Sequence, residues 1–118
     1  MGGKNPLIIL DDADMNVALE CAINGAFYST GQRCTASSRT IVTEQCYDAF
    51  SAALIERTRQ LKVGAALDST SQIGPVVDQR QLDKNLSYIN IGKEEGGKLL
   101  VGGERLAGTG YFFSPAII

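Results

Sequence analysis

The sequence predicts an α/β fold, a mostly parallel sheet with flanking helices. Two observations carry this expectation. Short β-rich apolar runs, Leu7-Ile8-Ile9-Leu10 and Thr40-Ile41-Val42-Thr43, alternate with longer segments of helical periodicity. Glycines stand where the helical patterns stop, at Gly31, Gly64 and Gly96-Gly97. Strands separated by helices imply βα units, whose strands pair in parallel.

Taken in order, the run Leu7 to Leu10 lies between Pro6 and Asp11 and suits a strand buried on both faces. Asp11, Asp12 and Asp14 offer N-cap side chains and negative charge for a helix from about Met15 to Tyr28. Along it Leu19, Ile23 and Phe27 form a large apolar stripe, and Ala18, Ala22 and Ala26 a small one. Asn16, Glu20 and Asn24 take the remaining face. The β-branched run Thr40 to Thr43 reads as the second strand. Tyr47, Phe50, Leu54 and Leu61 mark a second helix that ends near Gly64. A polar loop follows through Ser69-Thr70-Ser71 and Gly74-Pro75. Asp78 and Gln81 stand three apart, as in a capping box, ahead of a third helix with Leu82, Leu86 and Ile89 on one face. Lys98 to Val101 reads as a short strand and Gly102-Gly103 as a turn. A last apolar strand starts at Tyr111-Phe112-Phe113. The chain starts close to one buried strand and stops inside another, so it reads as a segment of a longer protein.

The 118 residues make one domain's length, with 44% hydrophobic and 20% charged residues, as in a soluble globular protein. A net charge of −2 and a pI near 5.0 argue against a nucleic-acid partner. The four-residue run Leu7 to Leu10 is too short for a bilayer, so no membrane partner is expected, and Met1 to Pro6 lacks the apolar stretch of a signal peptide. Three scattered cysteines read as reduced thiols in a cytoplasmic protein. With no histidine and no CxxC pair, no metal site is expected.

Cys34 is the candidate nucleophile. It lies in Gly31-Gln32-Arg33-Cys34-Thr35-Ala36-Ser37-Ser38-Arg39, among small, polar or cationic neighbours rather than apolar ones. Arg33 would favour the thiolate, and a helical turn after Cys34 would aim free N–H groups at the sulfur or an oxyanion. The blander reading is a tolerated free thiol in a loop. Cys21, among apolar helix residues, reads as core, and Cys46 as structural. Without histidine, any base that activates Cys34 must be a carboxylate, an amine or a group outside the chain. Gly2-Gly3-Lys4 lacks the Walker spacing and reads as a turn. On spacing alone Gln81 reads as a capping residue, and Lys84 one turn later as a solvated one.

Together these residues resemble the NAD(P)-dependent aldehyde dehydrogenase superfamily. The family signature Glu-Leu-Gly-Gly-Lys, an apolar strand, an Asp-Ala-Asp helix start and Gly-Gln-x-Cys is matched by Gly2-Gly3-Lys4, Asn5 to Leu10, Asp12-Ala13-Asp14 and Gly31-Gln32-Arg33-Cys34. The likeness continues through Gln72-Ile73-Gly74-Pro75, Ile91-Gly92-Lys93-Glu94-Glu95-Gly96, Gly102-Gly103 and Gly110-Tyr111-Phe112, across essentially the whole chain. It implies that Cys34 is the catalytic nucleophile and that its backbone N–H is one oxyanion donor. It also implies that Gln81 and Lys84 lie near the ribose of an NAD or NADP cofactor bound mostly outside this chain. Met1 stands where the family has the leucine of its motif, so the general-base glutamate would immediately precede it. The expectation is a partial catalytic domain over 1–118, without the nucleotide-binding domain and inactive alone. The whole protein would take a small-molecule aldehyde and form a homo-oligomer. Within the family, the segments around Cys34 and Ser71 to Asp78 are most similar to bacterial 2,5-dioxopentanoate (α-ketoglutarate semialdehyde) dehydrogenases. The competing classes are a non-catalytic α/β binding module and a thiol-redox protein.

Overall fold

A proline restricts the residue before it to extended backbone, and the first strand starts at that point. In a computed structural model of the chain, which describes residues 3–118, β1 spans Asn5–Ile9. Asp14 then caps α1, Met15–Ala26, its Oδ1 accepting from the backbone N–H of Asn16 at 2.9 Å and of Val17 at 3.0 Å. The chain returns as β2, Ser37–Val42, parallel to β1, with Leu7 opposite Thr40, Ile8 opposite Ile41 and Ile9 opposite Val42. The register shifts between Asn5 and Pro6, so that Asn5 faces Ser37 and Pro6 faces Arg39. A helix α2, Glu44–Arg59, follows β2, and a helix α3, Gln79–Glu94, comes later. The chain divides into two compact units, Met1–Thr58 and Arg59–Ile118. The α/β class expected from the pattern is the one observed.

In the first unit the core holds Ile9, Ala18, Leu19, Ala22, Ile23, Phe50 and Leu54. Leu19 and Ile23 of the large stripe and Ala18 and Ala22 of the small one are buried, Ala26 and Phe27 are half-buried, and Asn16, Glu20 and Asn24 face solvent as the periodicity requires. Thr58 is the one buried polar residue among the described residues, its hydroxyl donating to the Leu54 carbonyl at 2.7 Å. Two expectations are corrected. β1 is not buried on both faces: Ile9 is 4% exposed, whereas Ile8 is 58% and its register partner Ile41 53% exposed. Side chains alternate along a strand, so cover on one face buries Ile9 and leaves Ile8 out. The first helix also stops at Ala26, short of Tyr28. Ser29, Thr30 and Gly31 have φ of +56°, +55° and +66°, left-handed backbone that a right-handed helix cannot include.

In the second unit the core is formed by Ile73, Val76 and Leu82. The second helix does not run on toward Gly64. Past Arg59, Val63 instead bridges in parallel to Ile73, and Gly64 N–H donates to the Ile73 carbonyl at 2.9 Å. Asp78 caps α3 as expected, Oδ1 accepting from Gln81 N–H at 2.8 Å. The two short strands expected near the C-terminus are single antiparallel bridges, Val101 to Ile117 and Arg105 to Phe113. Gly102 and Gly103, at φ +63° and +82°, bend the chain between them. Met1 and Gly2 lie outside the described residues, and with them the start of the turn expected at Gly2-Gly3-Lys4. No helix of the described residues is long and apolar enough to cross a membrane.

Candidate active site

The left-handed turn at Tyr28–Gly31 ends α1 and carries the chain out to Gln32. Arg33, Cys34, Thr35 and Ala36 then make a second turn, closed by Ala36 N–H donating to the Arg33 carbonyl at 3.0 Å. Cys34 sits inside it, exposed, with its thiol free. The expected helical turn after Cys34 does not form, since β2 begins three residues later.

Asn5 holds this turn. Its side-chain Nδ2 donates to the Cys34 carbonyl at 2.8 Å and to the Ala36 carbonyl at 3.0 Å. Both partners are carbonyl oxygens, so the atom facing them must be the amide nitrogen, whose two hydrogens serve one acceptor each. In a trans peptide the C=O and N–H point in opposite directions, and there is no cis bond among the described residues. The turn bond at the Arg33 carbonyl therefore directs Cys34 N–H away from the turn. The Cys34 carbonyl held by Asn5 likewise fixes the Cys34–Thr35 amide.

Arg33 is held at the end of α1. Its guanidinium donates to the Asn24 carbonyl in the last turn of α1, where a cation meets the negative end of the helix dipole. Cys21 is corrected as well. It is exposed rather than core, because the buried face of α1 is taken by Ala18, Leu19, Ala22 and Ile23. Cys46 is half-buried, with Sγ 3.3 Å from Thr43 Oγ1, as a structural role requires. The sequence reading missed Asn5 as a site residue. The signal lay in Pro6, which fixes Asn5 in extended backbone with its short amide at the head of the strand.

Gln81 and Lys84 belong to the second unit, one turn apart on the same side of α3. Gln81 does not reach back to the Asp78 backbone to complete a capping box; its Nε2 donates forward to Asn85 Oδ1 at 2.7 Å. The ammonium of Lys84 stands 5.9 Å from the centre of the Tyr88 ring, a cation–π contact at the helix surface. Asp78 has its carboxyl held below the usual 3.8, first by the Gln81 N–H and then by Arg80. Asp68 is lowered too, by the backbone N–H and hydroxyl of Thr70 at 2.8 and 2.9 Å.

An exposed thiol on a turn with fixed amides can attack an electrophilic carbon, and the N–H directed outward can receive the charge that develops. Among known proteins, an α-ketoglutaric semialdehyde dehydrogenase of Bacillus subtilis (strain 168) is 49% identical over 99% of this chain. Crystal structures of betaine aldehyde dehydrogenase from Staphylococcus aureus superpose with a TM-score of 0.95 at 40% identity over 98% of the chain. One is an apo mutant with a BME-modified cysteine, the other a complex with NAD+ in which that cysteine is BME-free. The chain spans about a quarter of these proteins' length, 25% of the first and 24% of the second. The family model "Aldehyde dehydrogenase family" matches residues 1–118, and the chain belongs to the aldehyde dehydrogenase family.

Proposed function

We propose that the protein carrying these residues oxidises an aldehyde to a carboxylic acid with NAD(P)+, with Cys34 as nucleophile. The observation that carries the reading is the open thiol of Cys34 on a turn whose amides are fixed. In the first step the Cys34 thiol gives its proton to water, its sulfur bonds the aldehyde carbon, the carbonyl electron pair moves onto oxygen, and Cys34 N–H donates to that oxygen. When bound, NAD(P)+ supplies the hydride acceptor that turns the resulting thiohemiacetal into a thioester. Cys34 holds the acyl group until water releases the acid and returns the thiol.

The amide of Gln81 and the ammonium of Lys84 are the types of group that bond ribose hydroxyls. On the family resemblance we assign both, one turn apart on α3, to the ribose of the cofactor. The likeness to the Bacillus subtilis enzyme supports 2,5-dioxopentanoate or a related semialdehyde as substrate. The family resemblance supports a homo-oligomeric whole protein and a base glutamate supplied from outside these 118 residues. We take the chain as part of the catalytic domain, inactive by itself.

NAD(P)H formation with 2,5-dioxopentanoate tests this. The longer protein that includes this segment turns over, and Cys34→Ser lowers its kcat at least about a thousandfold. The 118-residue chain alone yields no steady NAD(P)H. Retained turnover in Cys34→Ser would contradict the assignment.

A further inference from the structure

Resting on the reading of Cys34 as nucleophile, we propose that Asn5 is a positioning residue for the oxyanion donor, and that Gly3 is glycine to leave room for it. The Asn5 side chain spans 29 and 31 residues of sequence to bond the carbonyls of Cys34 and Ala36. With the turn bond from Ala36 N–H to the Arg33 carbonyl, it ties the peptide groups on either side of the sulfur in place. Cys34 N–H is thereby aimed before any substrate arrives, and preorganised donors of this kind lower a barrier without reorganising during reaction.

Gly3 is the independent observation. A Cβ built on it would lie 2.5 Å from Asn5 Nδ2, 2.7 Å from Oδ1 and 2.9 Å from Cγ. With any larger residue at position 3 something must shift, and the atoms in the way are those of the Asn5 amide that holds the two carbonyls. Gly3 thus acts on the turn through Asn5, not as a phosphate loop.

The test compares two reactions of one thiol. p-Nitrophenyl acetate acetylates Cys34 through a tetrahedral oxyanion: the S–C bond forms, p-nitrophenolate leaves with the electron pair of its bond, and the thiol proton passes to water. Iodoacetamide alkylates the same sulfur by displacing iodide, with no oxyanion. The native chain, Asn5→Ala, Asn5→Asp and Gly3→Ala are treated with each reagent, and adducts are located by mass spectrometry. Cys21, exposed on α1, is the internal control. Asn5→Ala introduces no charge beside the carbonyls and keeps the test open if Asn5→Asp does not fold. Each variant is expected to slow acetylation of Cys34 relative to its alkylation about tenfold, a part of the 10²–10³ lost when an oxyanion donor is removed. Cys21 rates stay at the native value. If acetylation and alkylation fall together, or their ratio stays native, the positioning role is overturned while Cys34 can remain the nucleophile. If the native chain is not acetylated selectively at Cys34, the nucleophile reading falls and takes the positioning role with it.

Discussion

Asp78 shows how a single side chain can be read from sequence and still surprise. The spacing Asp78 to Gln81 predicts a cap, and the carboxylate does accept the Gln81 N–H. What spacing could not show is that the Gln81 amide turns forward to Asn85, because a neighbouring acceptor one turn on competes with the backbone behind. The cap has a pH signature. The folded carboxyl lies below its usual 3.8, so its contribution is complete above that value and is lost as pH falls through the lower folded value. The unfolding temperature of the native chain should exceed that of Asp78→Asn near pH 6, and the gap should close toward about pH 2, below the ordinary carboxylate range. A gap that widens in acid would mean the carboxylate is not the stabilised form. Asn5 was legible only in part. Pro6 announces an extended residue before it, but no pattern in one strand reveals two acceptors some thirty residues away.

At the scale of elements, the helices were the most legible, since caps and 3.6-residue periodicity are local. The apolar stripes of α1 and α3 face inward, with Leu19, Ile23 and Leu82 buried and Leu86 and Ile89 half-buried. The ends were less so. The first helix terminates where Ser29 and Thr30 take left-handed backbone, which neither residue type signals. The apolar residues in Lys98 to Val101 and in Tyr111-Phe112-Phe113 predict strands there. The glycines between and beyond them instead leave two single bridges. Gly102 is the test of that bend. It sits at φ +63°, and a Cβ there would lie 1.8 Å from the Pro115 carbonyl oxygen. Gly102→Ala should therefore destabilise the second unit by roughly 1–3 kcal/mol, measured by urea unfolding. An unchanged midpoint would show that the bend is not held as described.

For the molecule as a whole, fold class and family were readable because strand and helix signals alternate in order and the motifs run the length of the chain. The burial of each face was not, because it depends on what covers a strand, which a run such as Leu7 to Leu10 does not encode. Cys21 and Ile8 were both expected inside on apolar context, and both face solvent. The open strand face gives a prediction. Ile8→Thr combined with Ile41→Thr should change the chain's stability by less than about 1 kcal/mol, as surface substitutions do, while raising its solubility. A loss of several kcal/mol, read by thermal unfolding, would mean that this face is packed. The central claim concerns which of three thiols is the attacking one. All three are free, and both Cys21 and Cys34 are exposed, so exposure alone predicts equal reactivity for these two. Time-resolved iodoacetamide labelling of the native chain, with each cysteine followed by peptide mass spectrometry, decides between them. Modification of Cys34 about tenfold faster than Cys21, as for a nucleophile open to an electrophilic carbon, is the predicted result, and equal rates at the two would contradict the account.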